Sequence, residues 1–380
     1  MSESPVPGYR ICTRCVMDTA ADPDITFGAE GLCHHCARYD RMLPVRVQRG
    51  EAGRLALEAL VTRIKAAGRG REYDCIIGVS GGVDSTYVAH LVVEHGLRPL
   101  AVHLDNGWNS ELATQNIQQV LDRLGVELHT VVLDWEEFRD LQVAFLNAST
   151  SDGEIPTDHA IFATLWREAA SRGIRYIISG MNFTTESISV PSWAYGHSDW
   201  RYVKDVHRRH GTRPLRSYPH FSLARLVYWN AIARLRTVSI LNYIDYRKDD
   251  AMALLRDRLG WRSYGGKHHE SIYTRWFQGY LLPTKFGIDK RVGHLSDLIK
   301  AGQMGREEAL VELAKPTYDP ALQAEDTLYV RKKLGFSEEA FAALLAAPVR
   351  SFRDYRNSFD QVQFLRRTID RLRGRGWAPR

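Results

Sequence analysis

Long hydrophobic runs are missing from this chain. No stretch of 18 apolar residues occurs in its 380 residues, so no membrane-spanning helix and no membrane partner are expected. Met1 to Arg10 carry no apolar core, so no secretory signal is expected and the chain is read as cytoplasmic. Cysteine is scarce, five residues in all, which excludes a disulfide scaffold. Gly-Lys-Ser/Thr is absent, and with it a Walker A phosphate loop. Position 2 is Ser and no Gly-x-Cys-x-Gly elbow occurs, so no nucleophile for hydrolysing glutamine is evident. A general basic excess is lacking too. The formal charge of +6 equals that of residues 350–380, with nine Arg and three Asp. The remaining body is balanced and offers nucleic acid no track. A basic tail can meet RNA, an acidic partner or an anionic membrane, but an amphipathic, solvated last helix is the simpler reading. With 44% hydrophobic and 25% charged residues the chain is an ordinary globular one, neither disordered nor fibrous.

Four of the five cysteines fall in two pairs, Cys12-Thr-Arg-Cys15 and Cys33-His-His-Cys36, with 17 residues between them. Two such knuckles can turn four thiolates onto one tetrahedral ion and leave no open position, which is the arrangement of a structural zinc site. An iron–sulfur cluster would also use four thiolates. The Asp22-Pro23-Asp24 and Gly28–Gly31 turns suit a ribbon too small for a core of its own.

Beyond a helix over Glu51–Ala67, short apolar runs at Tyr73–Val79, Pro99–Leu104, Glu127–Leu133 and Arg175–Ser179 predict strands. Helical patterns at Asp84–His95, Ser110–Leu124, Trp135–Leu146 and Asp158–Arg172 separate them. The alternation implies an α/β fold, a parallel sheet with helices on both faces and ligand loops at the carboxyl ends of its strands. The texture changes after Asn182, and from Leu223 the pattern is mostly helical. Three units are expected: a zinc ribbon over 1–50, an α/β domain with a substrate-loop insert over 51–222, and a helical region over 223–380.

The segment Ile76-Ile77-Gly78-Val79-Ser80-Gly81-Gly82-Val83-Asp84-Ser85-Thr86 carries the chemistry. A buried strand runs through a Ser-Gly-Gly turn into a helix whose first N–H groups and positive dipole end can receive phosphate. It resembles the PP-loop of the ATP pyrophosphatase superfamily, whose signature is Ser-Gly-Gly-x-Asp-Ser. The resemblance implies cleavage of ATP between its α and β phosphates. It gives Ser80, Gly81, Gly82, Ser85 and Thr86 to pyrophosphate and Asp84 to Mg²⁺, a hard cation suited to oxygen ligands. The other reading of Asp84 is a helix cap. Val79 with His103, Leu104 and Asp105 would flank the adenosine, and Gly180 and Asn182 would lie on a second nucleotide-side loop. Lys267, Lys285 and Lys290, clustered beside Gly and Pro breaks, are candidates to neutralise the leaving group.

Within that superfamily, the ribbon and the PP-loop combine with Leu104-Asp-Asn-Gly-Trp-Asn109, Ile155-Pro-Thr-Asp-His-Ala160, Tyr243-Ile-Asp-Tyr246, Gly265-Gly-Lys-His268, Leu282–Arg291 and His294-Leu-Ser296. Together they resemble the N-acetyl sugar amidotransferases of bacterial surface-polysaccharide and nonulosonic-acid biosynthesis, including lipopolysaccharide O-antigen. The likeness spans roughly residues 10–315. It implies conversion of a sugar acetamido group into an acetamidino group, with ATP and Mg²⁺, on a free or nucleotide-linked sugar. It also implies ammonia from a separate glutaminase, similar to that of imidazole-glycerol-phosphate synthase with its barrel companion. The alternative is tRNA thiolation, but only Cys75 remains for sulfur chemistry, inside an apolar strand. The aromatic and arginine residues between Trp193 and His220 are expected to recognise the sugar. Asp158, His159 and Glu186 are weaker candidates for positioning ammonia or sugar.

Overall fold

The computed structural model describes residues 8–264 and 269–372. Its sheet has five strands: β1 (Cys75–Gly78), β2 (Pro99–Asp105), β3 (Leu128–Val132), β4 (Tyr176–Ser179) and β5 (Arg236–Ser239). Their order is β3-β2-β1-β4-β5, and every neighbouring pair is parallel. In the first half of the chain the helices are α1 (His34–Arg46), α2 (Gly50–Ala67), α3 (Val83–Glu94), α4 (Glu111–Leu124), α5 (Trp135–Asn147), α6 (Ile155–Ser171) and α7 (Trp200–His210). No described helix is long and apolar enough to cross a membrane.

The three central strands, β1, β2 and β4, form because their side chains are buried on both faces, while β3 and β5 are the more exposed edges. Ile76 lies opposite Leu100 on one side and Ile177 on the other. Alternation then sends Ile77, Ala101 and Ile178 to one core, against Leu57, Leu60 and Ile64 of α2 and Val88, Ala89 and Val92 of α3. Ile76, Leu100, Val102 and Ile177 point to the opposite core, against Ala163, Trp166 and Ala169 of α6. Helices thus cover both faces, as expected.

The sheet unit runs beyond residue 222. The fifth strand, unexpected from the sequence, hydrogen-bonds to β4, and Ala251, Leu255 and Leu259 of the following helix enter the α3 core. The rest of the second half is helical, with Tyr273, Trp276, Phe277, Val330 and Phe341 joining a third core with α5 and α7. The ribbon seats on this region: Val16 packs with Leu295 and Ala309, and Arg306 donates to the Cys12 and Cys15 carbonyls, each at 3.4 Å.

The segment 193–220 is a packing hub rather than an open substrate loop. Trp193 donates to the Ala21 carbonyl at 2.7 Å, and Tyr195 stacks on Phe352 with centroids 4.3 Å apart. Tyr202 is buried and donates to Asp152 at 2.8 Å. Arg208 and Arg209 pair with Asp205, and His207 with Asp140. These aromatic and basic side chains are spent on folding.

His159 lies in the same hub, wholly buried, its ring stacked on Phe221 at 4.5 Å. Its Nδ1 meets the His197 carbonyl at 2.6 Å and its Nε2 accepts from the Phe221 N–H at 3.3 Å. Burial pushes its pKa down to about 4. In the unfolded chain it titrates near 6.5, so the unfolded state takes up the proton first. The stability from burying neutral His159 is whole above about pH 6.5 and is lost as pH falls toward 4. Urea unfolding is expected to show roughly 2 kcal/mol less stability from this group at pH 5 than at pH 7. A His159→Phe chain should lack that part of the pH slope.

Candidate active site

Order β3-β2-β1-β4-β5 makes β1 the strand at which connections diverge, and the loops after β1 and β4 meet there. A Cβ on Gly180 would lie 3.0 Å from the Asp84 carbonyl carbon and 3.1 Å from the Ser85 nitrogen, so glycine is what lets the two loops touch. Gly81 has φ +84°, and a Cβ there would sit 2.9 Å from the Ala113 carbonyl oxygen.

Hydroxyls knit the turn between β1 and α3. Ser85 Oγ accepts from the Ser80 N–H at 3.2 Å, donates to the Gly82 carbonyl at 3.1 Å and lies 3.1 Å from Ser80 Oγ. The Gly82 N–H donates to Ser80 Oγ at 3.3 Å, and Thr86 is buried behind the turn. Gly82 is the N-cap of α3 and brings no side chain to the N–H groups of the first turn. That leaves the dipole end directed at the turn, an arrangement suited to an anion. Asp84 is the second residue of α3 and not its cap. Its Oδ1 accepts from the Tyr246 hydroxyl. Burial, then the Asp84 carboxylate, push the Tyr246 phenol well above 10, so it remains a neutral donor.

Two aromatic donors hold the Gly81 carbonyl: Trp261 Nε1 at 2.8 Å and the Tyr264 hydroxyl at 2.7 Å. Asn116 braces this clamp, with Nδ2 donating to the Tyr264 hydroxyl at 2.9 Å and Oδ1 accepting from the Arg262 N–H at 2.9 Å. Glu270 also stands against the turn, since a Cβ on Gly82 would lie 3.3 Å from its Oε1. Tyr246, Trp261, Tyr264 and Glu270 were not singled out individually from the sequence. Tyr246 ends the Tyr243–Tyr246 motif and Glu270 ends the candidate loop over 265–270, while the sequence carries no sign of Trp261 or Tyr264. Carboxylates from Asp84 and Glu270 beside a polyphosphate repel it unless a divalent cation lies between, and their oxygens fit Mg²⁺.

The other expected residues divide. His103 Nδ1 donates to the Val79 carbonyl at 2.8 Å, with Nε2 accepting from Asn109 Nδ2 at 2.9 Å, so His103 braces the end of β1. Leu104 is in the core, and Asp105 accepts from the Gly107 N–H at 2.8 Å within its own turn. Asn182 lies on the β4 loop: its Oδ1 accepts from the Thr185 N–H at 2.9 Å, and its buried Nδ2 has no partner among the described residues. Such an orphan donor beside the turn fits a site that takes a ligand.

Two of the lysines are committed elsewhere. Lys285 donates to the Leu344, Leu345 and Ala347 carbonyls at 2.5, 3.4 and 2.8 Å and so caps the helix Glu338–Ala346. Lys290 pairs with Glu154 at 2.7 Å. Neither has its ammonium group on the Ser80–Ser85 turn. Lys267 lies outside the described residues. Asp158 is exposed and Glu186 half-buried, with Glu186 close enough to Tyr246 to help raise its pKa.

Cys12, Cys15, Cys33 and Cys36 are all wholly buried, with their sulfurs within 4.8 Å of one another. Cys12–Cys36 and Cys15–Cys33 are 3.9 and 3.7 Å apart. That is too long for disulfides and matches the roughly 3.8 Å edge of a tetrahedron with metal–sulfur bonds of about 2.3 Å. The Arg14 and Cys33 N–H groups reach the Cys12 sulfur at 3.4 and 3.3 Å. The cage fits a single zinc.

Metal analysis is expected to find one zinc per chain, no iron–sulfur absorption band, and loss of the metal in Cys33→Ser. Asp84→Asn should fold normally and lose AMP formation by about 100-fold. Circular dichroism and an AMP assay check both points, and near wild-type turnover would reduce Asp84 to a helix-end residue.

Residues 270–368 match the model described as "LPS biosynthesis protein WbpG-like, C-terminal domain", and residues 58–149 match the NAD synthase model. An uncharacterized protein of Methanocaldococcus jannaschii is 22% identical over 315 residues, covering 80% of this chain and 93% of its own. A tRNA-specific 2-thiouridylase of Methylococcus capsulatus is 35% identical over 81 residues, covering 19% of this chain and 22% of its own. An NH3-dependent NAD synthetase structure from Campylobacter jejuni covers 79% of this chain and 99% of its own, at 14% identity and a TM-score of 0.31. The parallel sheet, the Ser-Gly-Gly turn and the two matched regions together support a place for this chain beside the WbpG-like amidotransferases of the PP-loop superfamily.

Proposed function

We propose that this chain is an ATP-dependent amidotransferase that turns an acetamido group of a sugar into an acetamidino group, using ammonia from a separate glutaminase. One combination carries the reading: the uncapped, glycine-opened start of α3 with Asp84 in its first turn, in a chain whose residues 270–368 match the WbpG-like domain. We assign zinc to the cysteine cage, Mg²⁺ to Asp84, and the cytoplasm as the place of action.

The chemistry follows from the weakness of an amide as an electrophile. The amide oxygen attacks the α-phosphorus of ATP, the bond to the bridging oxygen breaks, and pyrophosphate leaves toward the α3 N-terminus. Ammonia adds to the activated carbon and gives up a proton, and AMP departs with the former amide oxygen. The helix dipole and first-turn N–H groups receive the charge that builds on pyrophosphate. Mg²⁺ supplies further charge neutralisation when bound. Ammonia must arrive unprotonated and shielded from water, which is why a channelling partner is invoked.

The runner-up, tRNA thiolation, needs a sulfur carrier. Cys75 is wholly buried in β1, and burial pushes its thiol up from its ordinary value, so it is a poor thiolate. This supports amidation.

Incubation with ATP, Mg²⁺, ammonium and candidate diacetamido sugars is expected to release AMP and exchange an amide oxygen for NH, read by mass spectrometry. The chain alone should use ammonium and not glutamine, and a cognate glutaminase should restore glutamine use. The ammonium-dependent rate should climb toward about pH 9, because the neutral base is the nucleophile. Cys75→Ala should stay active, at a packing cost of roughly 1 kcal/mol. Sulfur incorporated into RNA, or a folded but dead Cys75→Ala chain, would sink the sugar reading.

A further inference from the structure

Asp84, in the first turn of α3, is placed to meet a cation beside phosphate, and what it offers that cation depends on how its carboxylate is oriented. One contact that restrains it comes from Tyr246, 162 residues further along the chain. We propose that Tyr246 is a positioning residue: its hydroxyl fixes the Asp84 carboxylate for the divalent cation that accompanies the nucleotide. The inference rests on the ATP-dependent reading above.

Tyr246 is itself held from several sides. Its ring is buried, 5.7 Å from that of Tyr87 on α3. Its carbonyl accepts from Gln303 Nε2 at 3.1 Å, while Gln303 Oε1 accepts from the Lys248 N–H at 3.2 Å. Just before it, the Asn242 carbonyl accepts from the Gln48 N–H at 2.8 Å, and Asp245 accepts from the Gly50 N–H at 3.2 Å. The segment is therefore fixed by both the start of α2 and the far helical region before it reaches Asp84.

A hydroxyl is the right chemistry for this task. A lysine or arginine in its place would cancel the charge that attracts a divalent cation. A neutral donor leaves that charge intact and occupies one of about four acceptor positions on the carboxylate. Hydrogen-bonded partners of metal-holding carboxylates act in this way, orienting the ligand without touching the metal.

The test is Tyr246→Phe, which keeps the ring and removes only the hydroxyl. Mn²⁺ binding is read by electron paramagnetic resonance with a non-cleavable α,β-methylene analogue of ATP, and the Mg²⁺ dependence of AMP formation is measured alongside. The expected result is about tenfold weaker Mn²⁺ binding. Half-saturation by Mg²⁺ should rise by a similar factor, and saturating Mg²⁺ should restore most of the rate. The thermal melt without metal checks that the fold is kept. A merely structural role would lower the melt or the maximal rate without moving the metal dependence, and that result overturns the assignment. Unchanged Mn²⁺ affinity beside normal wild-type binding also overturns it and leaves the amidation reading standing. A wild-type chain that binds no metal–nucleotide would take both down.

Discussion

The close approach of two backbone loops at the carboxyl end of β1 is the constraint on which the rest of the site depends. The helix that follows β1 covers one face of the sheet and the helix that leads into β4 covers the other. A crevice therefore opens between β1 and β4 without any side chain being needed to make it. Gly180 closes the remaining distance, since a Cβ there would crowd the backbone of Asp84 and Ser85 at 3.0 and 3.1 Å. Replacing it would strain the contact between the Ser80–Ser85 turn and the loop that carries Asn182.

Charge sets the next requirement. The start of α3 attracts anions through its dipole, while Asp84 and Glu270 repel them. The dipole favours these acids as well as an anion, and a nucleotide polyphosphate beside them would call for a divalent cation between the like charges, as in the site proposed above. The carbonyl of Gly81 would add to the repulsion if it faced the ligand. Trp261 and Tyr264 hold it with two hydrogen bonds. Aromatic donors suit this position because they bind a carbonyl without bringing a formal charge to the turn.

What could be read from the sequence depended on range. β1, β2 and β4 were legible as short apolar runs because both their faces are buried. β5 was not: Arg236-Thr-Val-Ser is four residues at a sheet edge, half in solvent, with no apolar run to mark it. The Ser80–Thr86 turn was legible because its parts are neighbours in the chain. Lys285 and Lys290 were misplaced because a lysine beside Gly and Pro carries no sign of what it will meet. One found helix-end carbonyls some 60 residues later, and the other found Glu154, 136 residues earlier. The aromatic residues between Trp193 and His220 read as a sugar platform, yet stacking on a sugar and stacking in a core ask for the same side chains. Only the contacts, Tyr195 on Phe352 and Trp200 on His159, tell the two apart.

The far half of the chain completes the site that the near half begins. Residues 79–86 supply the turn and the Asp84 carboxylate, but Tyr246, Trp261, Tyr264 and Glu270 orient or surround them. Gln303 fixes the Tyr246 backbone, and the neighbouring Ser296 and Arg306 grip the ribbon through the Val16 N–H and the Cys12 and Cys15 carbonyls. The cysteine cage is thus linked to Asp84 through side-chain hydrogen bonds of Ser296, Arg306, Gln303 and Tyr246, the first three of which lie within residues 296–306. A ribbon too small for its own core has a structural reason to be retained here: it braces the helices that hold the tyrosine that holds the carboxylate. A four-thiolate zinc bound there would have no open position for substrate, and its influence on the site would run through that path.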